Sequence, residues 1–139
     1  MSFKLQKDTK IYVAGHQGLI GSSFVRYFNA NNYSNILWKT RSELELTSVN
    51  DVNMFFKSSQ PEVVILAAGR VGGIIQNRDF PADFIRENLA IQQNVFNASQ
   101  KYNVKKVIFF GSSCMYPRDT VQPMNENQLC TGHPEPTSI

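Results

Sequence analysis

The feature that most constrains this chain is a glycine-rich turn near its start, between a short apolar run and a segment with helical periodicity. It reads Val13-Ala14-Gly15-His16-Gln17-Gly18-Leu19-Ile20-Gly21, with three glycines spaced by three. In such a turn the first glycine permits a sharp bend off a strand, and the second leaves the backbone open to a pyrophosphate. The third lets the following helix lie close to the strand.

A glycine turn kept only for packing is the alternative interpretation of this stretch. The strand before it, the helix after it and a second strand beyond favour a dinucleotide-binding turn, in which free N–H groups and the helix dipole hold an anion. The candidate cofactor-binding residues here are Gly15, Gly18, Leu19, Ile20 and Gly21.

Composition and charge narrow the class of protein. The 139 residues suffice for one domain, and 42% hydrophobic with 18% charged residues is ordinary for a folded protein. The net charge of +3 is scattered, so neither a nucleic-acid nor a membrane partner is expected. The start, Met1-Ser2-Phe3-Lys4, lacks the apolar core of a signal peptide, and Cys114 and Cys130 form no CxxC motif. These features predict a cytoplasmic protein with no metal site.

Apolar runs alternate with helical segments along most of the chain. The predicted strands are 10–14, 36–38, 62–68 and 105–110, and the predicted helices are 19–30, 48–60 and 81–101. The β-α-β-α-β-α-β order predicts an α/β fold, a Rossmann-type doubly wound parallel sheet with strand order 3-2-1-4, over residues 1–117. Residues 69–80 are predicted as a loop, and 118–139 as an extended loop. The continuous run Val63-Val64-Ile65-Leu66 predicts a strand buried on both faces.

The residues after the second strand indicate which dinucleotide would bind. A Rossmann fold places the adenosine ribose at this point, and an NAD site there commonly carries an acidic residue for the ribose hydroxyls. This chain has Lys39 and Arg41 instead, which suit a 2′-phosphate and predict NADP as the cofactor. A plain surface arginine is the alternative interpretation of Arg41.

Several stretches together resemble the extended short-chain dehydrogenase/reductases. Within that family the chain is similar to the N-terminal part of the branch containing the GDP-L-fucose synthases, which epimerise and then reduce GDP-4-keto-6-deoxymannose. The matching stretches are Val13–Gly18, Lys39–Leu44, Leu66–Ala68, Val71–Ile74, Pro81–Ile85, Gly111–Pro117 and Glu135–Thr137. The resemblance implies NADP(H)-dependent epimerisation and reduction of a GDP-4-keto-6-deoxy sugar, with a GDP-sugar as substrate.

The resemblance also implies roles for particular residues. The three glycines would hold the pyrophosphate, Arg41 would face the 2′-phosphate of NADPH, and Ala67 and Ala68 would line the cofactor near its nicotinamide. Ser112 matches the family's catalytic serine, which hydrogen-bonds the sugar carbonyl. Cys114 matches the cysteine of proton transfer, a task suited to a thiol with a usual pKa of about 8.5. The alternatives stay open: Cys114 as a small core hydrophobe and Ser112 as a turn hydroxyl.

Two departures from the family pattern affect this expectation. Gln17 stands where the family commonly has an arginine, which removes part of the 2′-phosphate clamp. The family's Tyr-x-x-x-Lys segment follows Glu-Pro-Thr, and its catalytic histidine and GDP-sugar-binding domain lie further on; His16 and His133 match no catalytic position. A catalytically inactive, truncated nucleotide-binding or regulatory module is therefore the alternative function. The predicted helix 81–101 and last strand suggest a homo-oligomer, most simply a dimer.

Overall fold

The computed structural model describes residues 3–136. Residues 1–2, part of the signal-peptide argument, and Thr137, the end of the Glu-Pro-Thr match, lie outside this range. The elements in chain order are β1 (Ile11–Ala14), α1 (Leu19–Ala30), β2 (Ile36–Leu37), α2 (Val49–Ser59), β3 (Val63–Leu66), α3 (Ile74–Asp79), α4 (Pro81–Lys101) and β4 (Lys106–Phe109). They confirm the alternating α/β architecture. None of the helices in residues 3–136 has the length and apolar character needed to cross a membrane.

The four strands form one parallel sheet in the order β2-β1-β3-β4, so the predicted order 3-2-1-4 was wrong. β3 pairs with β1 along its whole length, from Ile11 opposite Val63 to Ala14 opposite Leu66. All four residues of β3 are buried, whereas the two residues of β2 are only half-buried. A strand buried on both faces belongs in the interior of a sheet, and the predicted order had placed it at the edge.

The side chains of β1 and β3 alternate between two core layers, one on each face of the sheet. Tyr12, Ala14, Val64 and Leu66 pack with residues of α2 and α4. The neighbouring positions, Ile11, Val13, Val63 and Ile65, pack against α1. Helices therefore cover both faces of the sheet, as the doubly wound prediction required.

Two polar contacts fix the helices on the face of α2 and α4. Ser48 is the N-cap of α2, and its Oγ accepts a hydrogen bond from the Asp51 N–H at 3.3 Å. Asn94 of α4 is buried, and its Nδ2 donates to the Leu46 carbonyl oxygen at 2.9 Å. The loop between β2 and α2 is thereby tied to α4.

The segment 69–80, predicted as a loop, contains α3. None of its residues from Ile74 to Asp79 is buried, so the helix leaves no amphipathic periodicity in the sequence. Beyond β4 the chain has two short 3₁₀ turns, Ser113–Met115 and Glu126–Gln128, separated by extended segments. The proposed domain boundary at residue 117 remains a prediction.

Candidate dinucleotide-binding site

Gly15 and Gly21 are required by the packing of the turn itself. Gly15 has φ of +82°, and a Cβ there would lie 2.7 Å from the carbonyl carbon of Ala67. A Cβ on Gly21 would lie 2.2 Å from the carbonyl oxygen of Gly15. Both positions show the sharp bend and the close helix packing that the spacing predicted.

Gly18 is different, because the fold leaves room for a side chain there. Its φ of −76° and ψ of 171° suit any residue, and it is the N-cap of α1. An added Cβ would meet only the Gly15 carbonyl oxygen, at 3.4 Å, an ordinary contact distance. Within residues 3–136 no side chain caps this helix, and its first turn carries no acidic residue. The turn is therefore open to an anion on the side where Gly18 lacks a side chain.

A cleft of about 460 Å³ lies at the carboxyl end of the sheet, where β1 and β3 are neighbours. From β1 the chain crosses to β2 on one side, and from β3 it crosses to β4 on the other side. The crevice between β1 and β3 is therefore the topological switch point, where ligands bind in open α/β sheets. The cleft is lined by Gly15, Gly18, Leu19, Ile20, Arg41, Ala67 and Ala68, all of them predicted cofactor residues. Gly21 is buried behind the turn.

The deep end of the cleft is apolar. Tyr12, Leu44, Leu46 and Ile91 line it, and all four are buried. Burial raises the pKa of the Tyr12 phenol well above its usual range, so this side chain stays neutral and serves as an apolar wall. A flat, largely apolar ring such as a nucleobase would fit such a slot.

The mouth of the cleft is charged. Arg41 Nε donates to Glu45 Oε2 at 2.8 Å, and Arg41 Nη2 lies 3.7 Å from Glu87 Oε2. The hydrogen bond to Glu45 raises the pKa of the Arg41 guanidinium. Hydrogen bonding from the Thr47 backbone N–H, and then from Arg41, lowers the pKa of Glu45. Arg41 therefore lines the cleft as predicted, but it already has carboxylate partners.

Arg70 is a cleft residue that the sequence analysis missed. Its backbone N–H donates to Asn88 Oδ1 at 2.7 Å, and Asn88 Nδ2 donates to the Arg70 carbonyl oxygen at 3.0 Å. Its guanidinium lies over the Phe84 ring, 4.8 Å from the centroid, and donates to Glu87 Oε1 at 2.6 Å. A charged residue four positions after a buried parallel strand was the available signal, because such strand ends line the crevice.

Ser112 and Cys114 do not line the 460 Å³ cleft, but they follow β4, which is the parallel neighbour of β3. They therefore lie at the same end of the sheet as Ala67 and Ala68, the end where the carboxyl termini of the strands meet. Both are exposed, so Cys114 is not part of the core that residues 3–136 form. The Cys114 N–H donates to Ser112 Oγ at 3.2 Å, so the serine does cap a turn. The catalytic roles of both residues remain predictions.

Other polar residues with suggestive spacing lie away from the cleft or have packing partners. Tyr102 and Lys106 have Tyr-x-x-x-Lys spacing, but Lys106 begins β4, at the edge of the sheet opposite the cleft. His16 lines the cleft with its ring 6.1 Å from that of Trp38. His133 lines a separate cavity of about 480 Å³, within residues 117–136.

Comparison with known proteins shows how much of the chain is shared. The putative GDP-L-fucose synthase 2 of Arabidopsis thaliana is 50% identical over 137 residues, which is 99% of this chain and 42% of that protein. The GDP-L-fucose synthase of Escherichia coli K12 is 40% identical over 129 residues, 93% of this chain and 40% of that protein. The chain thus spans about two fifths of the length of these curated relatives.

Solved structures give the same result. A GDP-D-glycero-L-gluco-heptose synthase from Campylobacter jejuni, in the presence of NADPH, matches with a TM-score of 0.90 at 42% identity, over 96% of this chain and 39% of that one. A GDP-mannoheptose C4 reductase from Campylobacter jejuni with NADP bound matches with a TM-score of 0.90 at 41% identity, over 97% of this chain and 43% of that one. Residues 11–139 match the NAD dependent epimerase/dehydratase family model, and the chain belongs to that family.

Proposed function

We propose that this chain is the cofactor-binding part of an NADP(H)-dependent epimerase-reductase acting on a GDP-4-keto-6-deoxy sugar. The product would be GDP-L-fucose or a close relative such as a GDP-heptose. The observation that carries the proposal is Gly18. The packing of the turn would tolerate a side chain at this position, yet the residue is glycine and it lines the cleft. The GDP-L-fucose synthase and GDP-heptose relatives support the substrate class.

The residues of the cleft fit the parts of an NADP molecule. The glycine turn suits the pyrophosphate, because backbone N–H groups at a helix N-terminus hold anions. The buried slot beside Leu46 and Ile91 suits the adenine, and Arg41 at the mouth suits the 2′-phosphate. Ala67 and Ala68 would line the path toward the nicotinamide.

The chemistry proposed for Ser112 and Cys114 depends on their position at the same sheet edge as the cleft. When bound, the cofactor supplies hydride. The Ser112 hydroxyl would donate a hydrogen bond to the sugar carbonyl oxygen as charge develops there. The exposed Cys114 thiol would remove and return a proton at a carbon beside that carbonyl.

A second candidate function is a nucleotide-binding or regulatory module that performs no turnover. Such a module would keep the glycine turn and the cleft that the described residues form. A reading frame that continues into the family's Tyr-x-x-x-Lys segment would support the enzyme instead. For the 139 residues alone we expect weak dinucleotide binding and no turnover. We also expect a cytoplasmic, homo-oligomeric protein.

The test is a titration of the chain with NADPH, monitored by heteronuclear NMR so that weak binding is measurable. We expect shifts in the amide signals of the glycine turn and of residues 67–71. Gly18→Val should abolish them while the fold survives, because the added methyl groups occupy the space of the pyrophosphate. Gly73→Val is the matched control, since a Cβ there meets nothing within 4 Å and Gly73 does not line the cleft. Equal binding by the folded Gly18 variant would contradict the proposed site.

A further inference from the structure

One carboxylate, that of Glu87, lies between the two arginines of the cleft mouth. Glu87 is on α4, and its Oε1 accepts from Arg70 Nη1 at 2.6 Å. Its Oε2 lies 3.7 Å from Arg41 Nη2. Arg41 follows β2 and Arg70 follows β3, so this single side chain connects both walls of the cleft. It is only 18% exposed, so its charge is screened by water less than that of a surface carboxylate.

Arg41 has a carboxylate on either side before any ligand arrives. Glu45 holds the Nε at 2.8 Å, and Glu87 holds the Nη2 end. A guanidinium that binds a phosphate usually presents two N–H groups to it. A 2′-phosphate at Arg41 would therefore have to displace one of these partners. Glu87 is the one to yield, because 3.7 Å is longer than a hydrogen bond.

We propose that Glu87 is a positioning residue that limits the preference of this site for the 2′-phosphorylated dinucleotide, because it competes with the 2′-phosphate for Arg41. The proposal rests on the proposed function of the cleft. A phosphate beside Arg41 would also lie near the Glu87 carboxylate, and the two negative charges repel each other. A dinucleotide without the 2′-phosphate has no negative charge at that point, so this repulsion does not act on it.

Glu87 is not needed to hold the loop after β3 in place. The backbone N–H and carbonyl of Arg70 are both bonded to the Asn88 side chain, and the Arg70 guanidinium rests on the Phe84 ring. Replacing Glu87 with glutamine keeps the size of the side chain and an acceptor for Arg70. Such a change removes the charge while the wall of the cleft keeps its other bonds.

The experiment measures dissociation constants for NADPH and NADH by NMR titration of the chain, unmodified and as Glu87→Gln. We expect Glu87→Gln to tighten NADPH binding by about three- to tenfold and to leave NADH binding within about twofold. The same change in an Arg41→Gln background should raise the NADPH-to-NADH ratio by less, because the competition for Arg41 is gone and only the repulsion between the phosphate and Glu87 is relieved. Asn88→Ala is the matched control: it loosens the loop, so it should weaken both dinucleotides by a similar factor.

The outcomes distinguish a failure of the proposed function from a failure of the role proposed for Glu87. If the unmodified chain binds neither dinucleotide, the proposed function fails and the role of Glu87 fails with it. If it binds NADPH and Glu87→Gln leaves the ratio unchanged or lowers it, only the role of Glu87 is overturned. Glu87→Met provides a second uncharged variant of similar size, for which the same rise in the ratio is expected should Glu87→Gln not fold.

Discussion

The backbone of Ala67 occupies the space that a side chain on Gly15 would need. A Cβ on Gly15 would lie 2.7 Å from both the carbonyl carbon and the carbonyl oxygen of Ala67. These residues directly follow the neighbouring strands β1 and β3, and both line the cleft. The close approach of the two chain segments that follow β1 and β3 therefore also shapes the ligand site.

Gly21 is required by the packing of the turn, whereas Gly18 is proposed to serve the ligand, so substitutions at the two positions should differ in their effect on stability. Gly21→Ala should lower the free energy of unfolding by about 1–3 kcal/mol, because its Cβ would lie 2.2 Å from the Gly15 carbonyl oxygen. Gly18→Ala, the control, should cost about 1 kcal/mol or less. Urea unfolding followed by circular dichroism measures both. Equal losses would contradict the division of roles.

Sequence reasoning predicted the elements better than their arrangement. The continuous apolar run Val63–Leu66 correctly predicted burial on both faces, yet the predicted strand order placed that strand at the edge. Period and propensity are local, whereas strand order depends on which side of β1 the chain returns to. The two facts together, a two-residue β2 and a fully apolar third run, would have favoured the observed order.

The candidate site was predicted in the same uneven way. The spacing of the glycines predicted the cleft residues of the turn, and the family resemblance added Ala67 and Ala68, which also line the cleft. Arg70 and Glu87 were missed, because their role depends on α4 lying across the mouth of the cleft. α3 was missed because helices with no buried residue have no periodic signal.

Arg41→Glu should narrow or invert the preference for NADPH over NADH, by about 1–3 kcal/mol in the difference of binding free energies. The substitution removes a cation and places a third carboxylate beside Glu45 and Glu87. Arg26→Glu is the control, since Arg26 bonds only to serines of its own helix, Ser22 and Ser23, among the contacts of the described chain. Calorimetry with both dinucleotides measures the difference. Equal affinity of the unmodified chain for NADH and NADPH would rule the preference out.

Cys114→Ser should slow the exchange of sugar protons with solvent far more than hydride transfer, in a protein that carries this chain joined to the remaining length of its relatives. A serine hydroxyl is too weak an acid to replace a thiol in proton transfer. Cys130→Ser is the matched control, because Cys130 is also exposed. Deuterium incorporation at C3 and C5 of the sugar is the measurement. Unchanged incorporation would show that Cys114 takes no part.

The chain should self-associate through β4 or α4. β4 is an edge strand with exposed ends, and Phe109 is 45% exposed with its ring 5.6 Å from that of Phe96 on α4. Phe109→Lys should shift the population toward the monomer in light scattering. Met54→Lys, at an exposed position of α2, should not. A monomeric unmodified chain at high concentration would refute the association.

The pairing of β1 with β3 also sets the order in which the protein can acquire its shape. Ile11 can pair with Val63 only after the residues of α1, β2 and α2 have been synthesised. The cleft therefore depends on a contact between distant parts of the chain. Such non-local pairings form slowly, since the intervening loop must close first. During synthesis the glycine turn emerges early but has no opposite wall until β3 arrives. A nascent chain would therefore gain its affinity for nucleotide late and abruptly.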